Sequence, residues 1–293
     1  MRPLTSSRDD SAEAPGIQRL TAPSRGVARR TAVIGLSASL MLALALIGGC
    51  RSGPTKALER AIVSGSPREV AALLRAGADP NADSLSGEPL LWLAVRMRRD
   101  DSAVALLQAG ANPKTEYYRM NILFAVVSMR PSCPVEVLRA LVRAGSDVNT
   151  VNMYTGDTPL MDALEHDAQP CVDLLLSSGA KTNVRNLAGG TALHSAAKGS
   201  SSVMVAKMLD LGLGIDSVMT EGTTPLMLAA ERRPEGGENE LVIATLLDHG
   251  ANPCRKNLSG QSAAAIALKF NLVVRAERLA AACAAWRARR TSG

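Results

Sequence analysis

The sequence predicts an all-α solenoid of about seven helix pairs linked by short β-hairpin-like loops. Three observations lead there. A glycine-ended string recurs at near-constant spacing, and a second string keeps the same phase. The composition, 46% hydrophobic but only 2% aromatic, suits thin helices packed closely on Ala, Leu and Val. A fixed period of 20 to 50 residues is the signature of a repeat architecture, in which each unit buries its apolar face against its neighbours.

The first string reads Leu-Leu-Arg-Ala-Gly77-Ala-Asp-Pro-Asn81 and returns around Gly110, Gly145, Gly179, Gly212 and Gly250, in steps of 33, 35, 34, 33 and 38 residues. The second reads Gly156-Asp-Thr-Pro-Leu160, Gly189-Gly-Thr-Ala-Leu-His194 and Gly222-Thr-Thr-Pro-Leu226, with degraded copies at Glu88-Pro-Leu90 and Gly260-Gln-Ser-Ala263. Chemistry explains each slot. Thr158 and Thr224 can cap a first helical turn through a side-chain oxygen. Pro159 and Pro225 follow where a missing N–H is harmless. The Leu pairs bury, and each recurring Gly ends a second helix in a left-handed conformation.

These phased strings resemble the ankyrin repeat over roughly residues 55 to 285. The resemblance implies a helix, an antiparallel helix and a projecting hairpin per unit. It also implies that partners dock on the hairpin tips and the exposed part of each first helix. Aligned on Gly-x-Thr-Pro-Leu, the tips fall near Ser84-Leu85, Tyr117-Tyr118, Met153-Tyr154, Leu187-Ala188, Thr220-Glu221 and Leu258-Ser259. The exposed helix positions fall near Val95-Arg96, Ser128-Met129, Glu165-His166, Lys198, Glu231-Arg232 and Lys269. His194 sits where the family uses histidine to hydrogen-bond neighbouring loops. The ends read as caps. The first pair lacks a hairpin before it, and the last helix, Leu272 to Arg290, carries a polar face of Arg275, Glu277, Arg278, Arg287, Arg289 and Arg290. Two repeats carry extra residues between their helices, at Arg130–Cys133 and Arg233–Asn239.

The N-terminus reads as an address. Residues 1–30 are polar and end in Arg29-Arg30; an apolar run spans Ala32 to Leu46; Ile47-Gly48-Gly49-Cys50 follows. A positive flank, an apolar stretch and small residues form a secretory signal. The Ile-Gly-Gly-Cys ending resembles the lipobox of bacterial lipoproteins, which implies lipidation of Cys50 and a palmitate-bearing anchor. Residues 1–49 are then a signal peptide, 50–54 a short linker and 55–290 the repeat domain. An uncleaved anchor helix, about the minimum length for a span, and a plain cleaved signal are the alternatives. All three place residues 51–293 outside the cytoplasm, with the lipidated form facing the periplasm.

Nothing in the chain supplies catalytic chemistry. The three histidines lie in separate repeats, without the Cys or acid spacing of a metal site. No phosphate loop or nucleophile elbow occurs. The formal charge of +6 falls to about +3 without the leader, too little to argue for nucleic acid. No cofactor is expected. Of the four cysteines after Cys50, Cys171 falls in a helix core and Cys133 in the preceding inter-helix turn, while Cys254 falls in a loop and Cys283 at the next repeat's Gly slot. Packed helices lie about 8–10 Å apart and a disulfide wants Cα atoms within about 7 Å, so register argues against disulfides and for free buried thiols, with Cys254–Cys283 and Cys133–Cys171 as the alternative pairings.

The binding residues are expected where aromatics gather. All three tyrosines sit at two adjacent tips, as Tyr117, Tyr118 and Tyr154. Arg119 follows the first pair, and Trp92 and Arg96 lie one repeat earlier. Interface hot spots favour Trp, Tyr and Arg. The expected partner of this monomeric scaffold is a protein: a periplasmic enzyme that it assists or a delivered toxin that it neutralises as an immunity protein does. A structural cell-envelope protein is the other class.

Overall fold

The computed structural model describes residues 52–128, 133–199, 201–231 and 238–291. The signal peptide, Cys50, Met129, Arg232 and most of both insertions lie outside the described residues.

Within them the chain forms seven helix pairs in sequence order. They are α1 (Ser52–Ser64) with α2 (Pro67–Arg75), α3 (Leu90–Arg96) with α4 (Asp100–Gln108), α5 (Ile122–Val127) with α6 (Val135–Arg143), and α7 (Pro159–Glu165) with α8 (Gln169–Ser177). Then follow α9 (Ala192–Gly199) with α10 (Ser202–Asp210), α11 (Pro225–Glu231) with α12 (Glu238–Asp248), and α13 (Ala263–Lys269) with α14 (Val273–Thr291). The first helix begins at Ser52, inside the segment assigned to a linker.

First helices stack on first helices from α1 to α13, and second helices form a parallel row behind them. One continuous core runs along the stack, built from Leu58, Leu90, Leu123, Leu160, Leu193, Leu226 and their neighbours. Most of the helices are too short to hold themselves in water; burial against the next repeat supplies the stability.

The local devices are those the strings anticipate. Thr158 and Thr224 accept from the N–H groups of Met161 and Met227, each at 3.3 Å, and both threonines are buried. At the end of α2 the Gly77 N–H reaches the Leu74 carbonyl and the Ala78 N–H the Leu73 carbonyl, with Gly77 at φ +92°. This double closure requires a left-handed residue, and the same pair of bonds recurs at the other five recurring glycines.

Adjacent repeats are tied through their loops. The Asn81 side chain accepts from the Asn112 N–H at 2.7 Å and donates to the Gly110 carbonyl at 3.2 Å. Asn149 repeats both bonds two joints later, with Lys181 and Gly179. Tips are tied by backbone: Leu187 N–H to Thr155 carbonyl, Thr220 to Ala188, and Leu258 to Glu221. At the N-terminal end the Glu59 carboxylate, not a preceding tip, accepts from the Leu85 N–H at 3.1 Å.

His194 fastens another joint. Its Nδ1 lies 3.2 Å from the Thr191 N–H nitrogen and 2.9 Å from the Thr191 hydroxyl, and its Nε2 lies 3.2 Å from the Thr223 carbonyl of the next repeat. A backbone N–H can only donate, so Nδ1 must accept and the proton sits on Nε2. This is the loop-binding role the resemblance implies.

Three expectations are corrected. The four cysteines are paired: Cys133 with Cys171, Cα atoms 5.8 Å apart, and Cys254 with Cys283, 5.0 Å apart. The spacing of helix axes does not govern either pair, because Cys133 and Cys254 lie in loops. A loop can settle directly on the neighbouring helix. Arg275 belongs to no outer face. It is 4% exposed, its Nε donates to Glu240 at 2.6 Å, and its guanidinium lies 3.3 Å from the Ala230 carbonyl. It closes the orphaned C-terminal carbonyls of α11. Finally, Val95 is 2% exposed; on α3 only Arg96 reaches solvent.

Candidate functional site

The tip of the second hairpin differs from the others. Elsewhere a glycine such as Gly156 or Gly189 makes the turn at φ near +74°. Here Glu116–Tyr117 (β1) pairs antiparallel with Met120–Asn121 (β2), Glu116 opposite Asn121 and Tyr117 opposite Met120. Only Tyr118 and Arg119 remain to turn the chain. A two-residue loop needs positive φ to match the strand twist, and these two stand at +49° and +61°. Neither is Gly or Asn, so each carries strain of order 1–2 kcal/mol.

The strained turn presents Tyr118 at 82% exposure. Its ring meets Tyr117 edge-on, with centroids 4.4 Å apart. Tyr117 in turn leans on Trp92 of α3, with centroids 5.9 Å apart. Trp92 is 8% exposed, and its indole N–H donates to the Thr115 carbonyl at 3.3 Å, which locks the ring to the base of the hairpin. The Tyr118 side chain, and then burial, push the Tyr117 phenol above its ordinary value, so it is neutral near pH 7.

Beneath the rings lies a charge pair the sequence reading missed. Glu88 occupies the slot that holds Thr in Thr-Pro-Leu, and its side chain is 3% exposed. Arg96, two turns along α3, grips it with both arms: Nε to Oε1 at 2.8 Å and Nη2 to Oε2 at 2.7 Å. The Glu88 hydrogen bond raises the Arg96 pKa above its already high ordinary value. An acid in a cap slot demands a counter-charge, and an Arg eight residues on was the available signal. Together with Ser86 and Met120 these groups line a pocket of about 410 Å³.

The predicted residues thus divide. Trp92, Arg96, Tyr117 and Tyr118 converge on one pocket, with Trp92 as its back wall and not as an exposed contact. Arg119 is exposed in the turn beside it. Tyr154 stands 66% exposed at the next tip, but among the described residues no ring contact joins it to the cluster. Cys50 lies outside the described residues.

Further along the row of first helices, Ser128 donates to Asp162 at 2.7 Å, and His166 Nδ1 lies 3.5 Å from the same carboxylate oxygen. The serine hydroxyl faces the acid and not the histidine. Burial raises the Asp162 pKa, against the opposing effects of Ser128 and His166. Lys198 and Glu165 pair at 2.7 Å. Among the described residues no three His, Cys, Asp or Glu side chains gather as a metal site, and no helix is long and apolar enough to cross a membrane.

Comparison with known proteins agrees with this architecture. The family model described as "Ankyrin repeats (3 copies)" matches residues 91–186 and 179–257, more than half of the chain. The mouse B-cell lymphoma 3 protein homolog is 31% identical over 179 residues, covering 60% of this chain and 40% of its own. Protein PhlB of Serratia liquefaciens is 36% identical over 109 residues, covering 37% of this chain and 47% of its own. The chain thus spans less than half the length of these relatives. Among solved structures, the human ASB11 ankyrin repeat domain superposes with a TM-score of 0.62 at 23% identity, over 76% of this chain and 96% of that one. The Bcl-3 ankyrin repeat domain gives 0.59 at 23% identity, over 75% and 97%. Repeats of this kind bind other proteins and do not need catalytic groups to do so, and this chain belongs to the ankyrin repeat family.

Proposed function

We propose that the protein is a non-catalytic scaffold, exported and held to a membrane through lipid on Cys50, which captures a protein partner in the periplasm on the face around Tyr118. One observation carries the docking reading. In a chain with 2% aromatic residues, three rings and a clamped arginine converge on one pocket, and the outermost ring is almost fully in water. Large aromatics left exposed on a rigid scaffold are typical binding anchors.

The two disulfides support export, because such bonds persist in oxidising compartments and are rare in the cytosol. The Ile47-Gly48-Gly49-Cys50 string supports the lipid anchor. One acyl-bearing residue tethers the array while leaving it in water. The test has two arms. Radiolabelled palmitate should enter the wild-type chain and not Cys50→Ser; label retained in that variant refutes the anchor. Partner capture from solubilised membranes should fall at least tenfold in Tyr118→Ala; unchanged capture refutes the docking face.

A further inference from the structure

We propose that the pocket between α3 and the β1–β2 hairpin takes one large apolar side chain of the partner, an aromatic or Leu/Met, from a segment that carries a carboxylate beside it. The inference rests on the docking reading above and names the chemistry that the docked segment must bring.

The walls set the apolar part. Trp92, Tyr117, Tyr118 and Met120 surround the pocket, and about 410 Å³ lies at the small end of ligand pockets. That is room for one side chain and not for a folded surface. The rings hold one another by edge contacts, and Trp92 is pinned by its bond to Thr115, so the walls are set before a ligand arrives. Preorganised walls lower the ordering cost of binding.

The polar groups set the charge. Three rings beside a carboxylate would suit a cation, but both Glu88 oxygens are already engaged by Arg96. A basic side chain would therefore meet a neutralised acid and a resident guanidinium. Arg96 has its side chain 60% exposed and uses only Nε and Nη2 on Glu88, so Nη1 still has N–H groups to offer. Arg119, exposed in the turn between the lining residues Tyr118 and Met120, brings a second guanidinium on the same hairpin. Two arginines around an apolar pocket complement an apolar anchor flanked by an acid. The chain's own leader does not fit this description, since residues 1–49 hold six Arg against three acids. The strained turn fits it: two bulky residues are kept at positive φ where Gly would relax the backbone.

The test uses the full-length chain in detergent with Trp286→Phe, so that Trp92 is its one tryptophan. Four blocked tripeptides are titrated while Trp92 fluorescence is followed: acetyl-Glu-Phe-Glu-amide, acetyl-Gln-Phe-Gln-amide, acetyl-Lys-Phe-Lys-amide and acetyl-Glu-Ala-Glu-amide. The acidic phenylalanine peptide should bind saturably, at least tenfold tighter than the basic one and than the alanine one. Arg119→Gln should narrow the acidic-to-basic ratio, and Tyr118→Ala should weaken every phenylalanine peptide. Equal or tighter binding of the basic peptide overturns the proposal, as does silence from all four at millimolar concentration. If the peptides fail while Tyr118→Ala still abolishes partner capture, the docking face stands and the anchor chemistry falls.

Discussion

Acidification should weaken the joint held by His194. Burial above all, helped by the nearby Arg185, lowers the pKa of this imidazole from 6.5 to about 4. Its Nδ1 already accepts from Thr191, so a proton there would break those bonds. Between pH 6.5 and 4 the unfolded chain takes up a proton that the folded chain refuses. The stability contribution is therefore complete above 6.5 and is lost as pH falls towards 4. With those two values, the loss between pH 7.5 and 5.0 is about 2 kcal/mol. Urea unfolding of the wild type and of His194→Gln at both pH values measures it. The wild type should lose about 2 kcal/mol more than the variant on acidification. The His194 ring signals in NMR should keep their neutral-form positions down to pH 5. An imidazole midpoint near 6.5, or the same acid sensitivity in both proteins, would refute the reasoning.

Other outcomes follow from other joints. Arg119→Gly relieves a left-handed strain and should raise stability by about 1 kcal/mol while weakening partner capture; thermal melts and pull-downs read the two effects separately. Glu88→Ala strands Arg96 over the rings and should cost about 1–3 kcal/mol. Glu88→Thr should recover about 1 kcal/mol of that by capping α3 as Thr158 caps α7, and denaturant midpoints of the three proteins test the order. Replacing both Cys254 and Cys283 by Ser opens a crosslink with a sequence separation of 29 and should destabilise the last repeat by about 3–4 kcal/mol on loop-entropy grounds, seen as faster amide exchange in α14. Gly199→Ala improves helix propensity, yet its Cβ would sit 2.1 Å from the Leu164 carbonyl oxygen. Melting should show a net loss of stability.

The repeat and its devices were legible because each rests on one residue with one physical job. Thr158 caps, Pro159 starts, Gly179 stops, and His194 bridges. The tips were legible because the phase of Gly-x-Thr-Pro-Leu carries over to Leu187 and Leu258. What escaped the sequence depends on where loops settle. Cys133 and Cys254 meet partners in the next unit because a loop can approach a helix more closely than another helix can. Arg275 looks like one charge among several on α14, and only the turn of that helix against α11 buries it. At the site, four of the six expected residues line one pocket, since Tyr117-Tyr118 and Trp92 keep the tip-and-first-helix register. Glu88 was hidden by being the wrong residue in a known slot. The strain at Tyr118-Arg119 was hidden because no glycine marked the turn.

Docking of a partner protein on the Tyr118 face can be trapped covalently. The most direct test places a photo-crosslinking amino acid at Tyr118 and, in a second chain, at Leu241, which is 52% exposed on α12 in the row behind. After illumination in the producing cells, a discrete adduct with another protein should form from position 118 and not from 241. An adduct from 241 alone, or none from 118 in cells that hold the protein at its membrane, would contradict the claim.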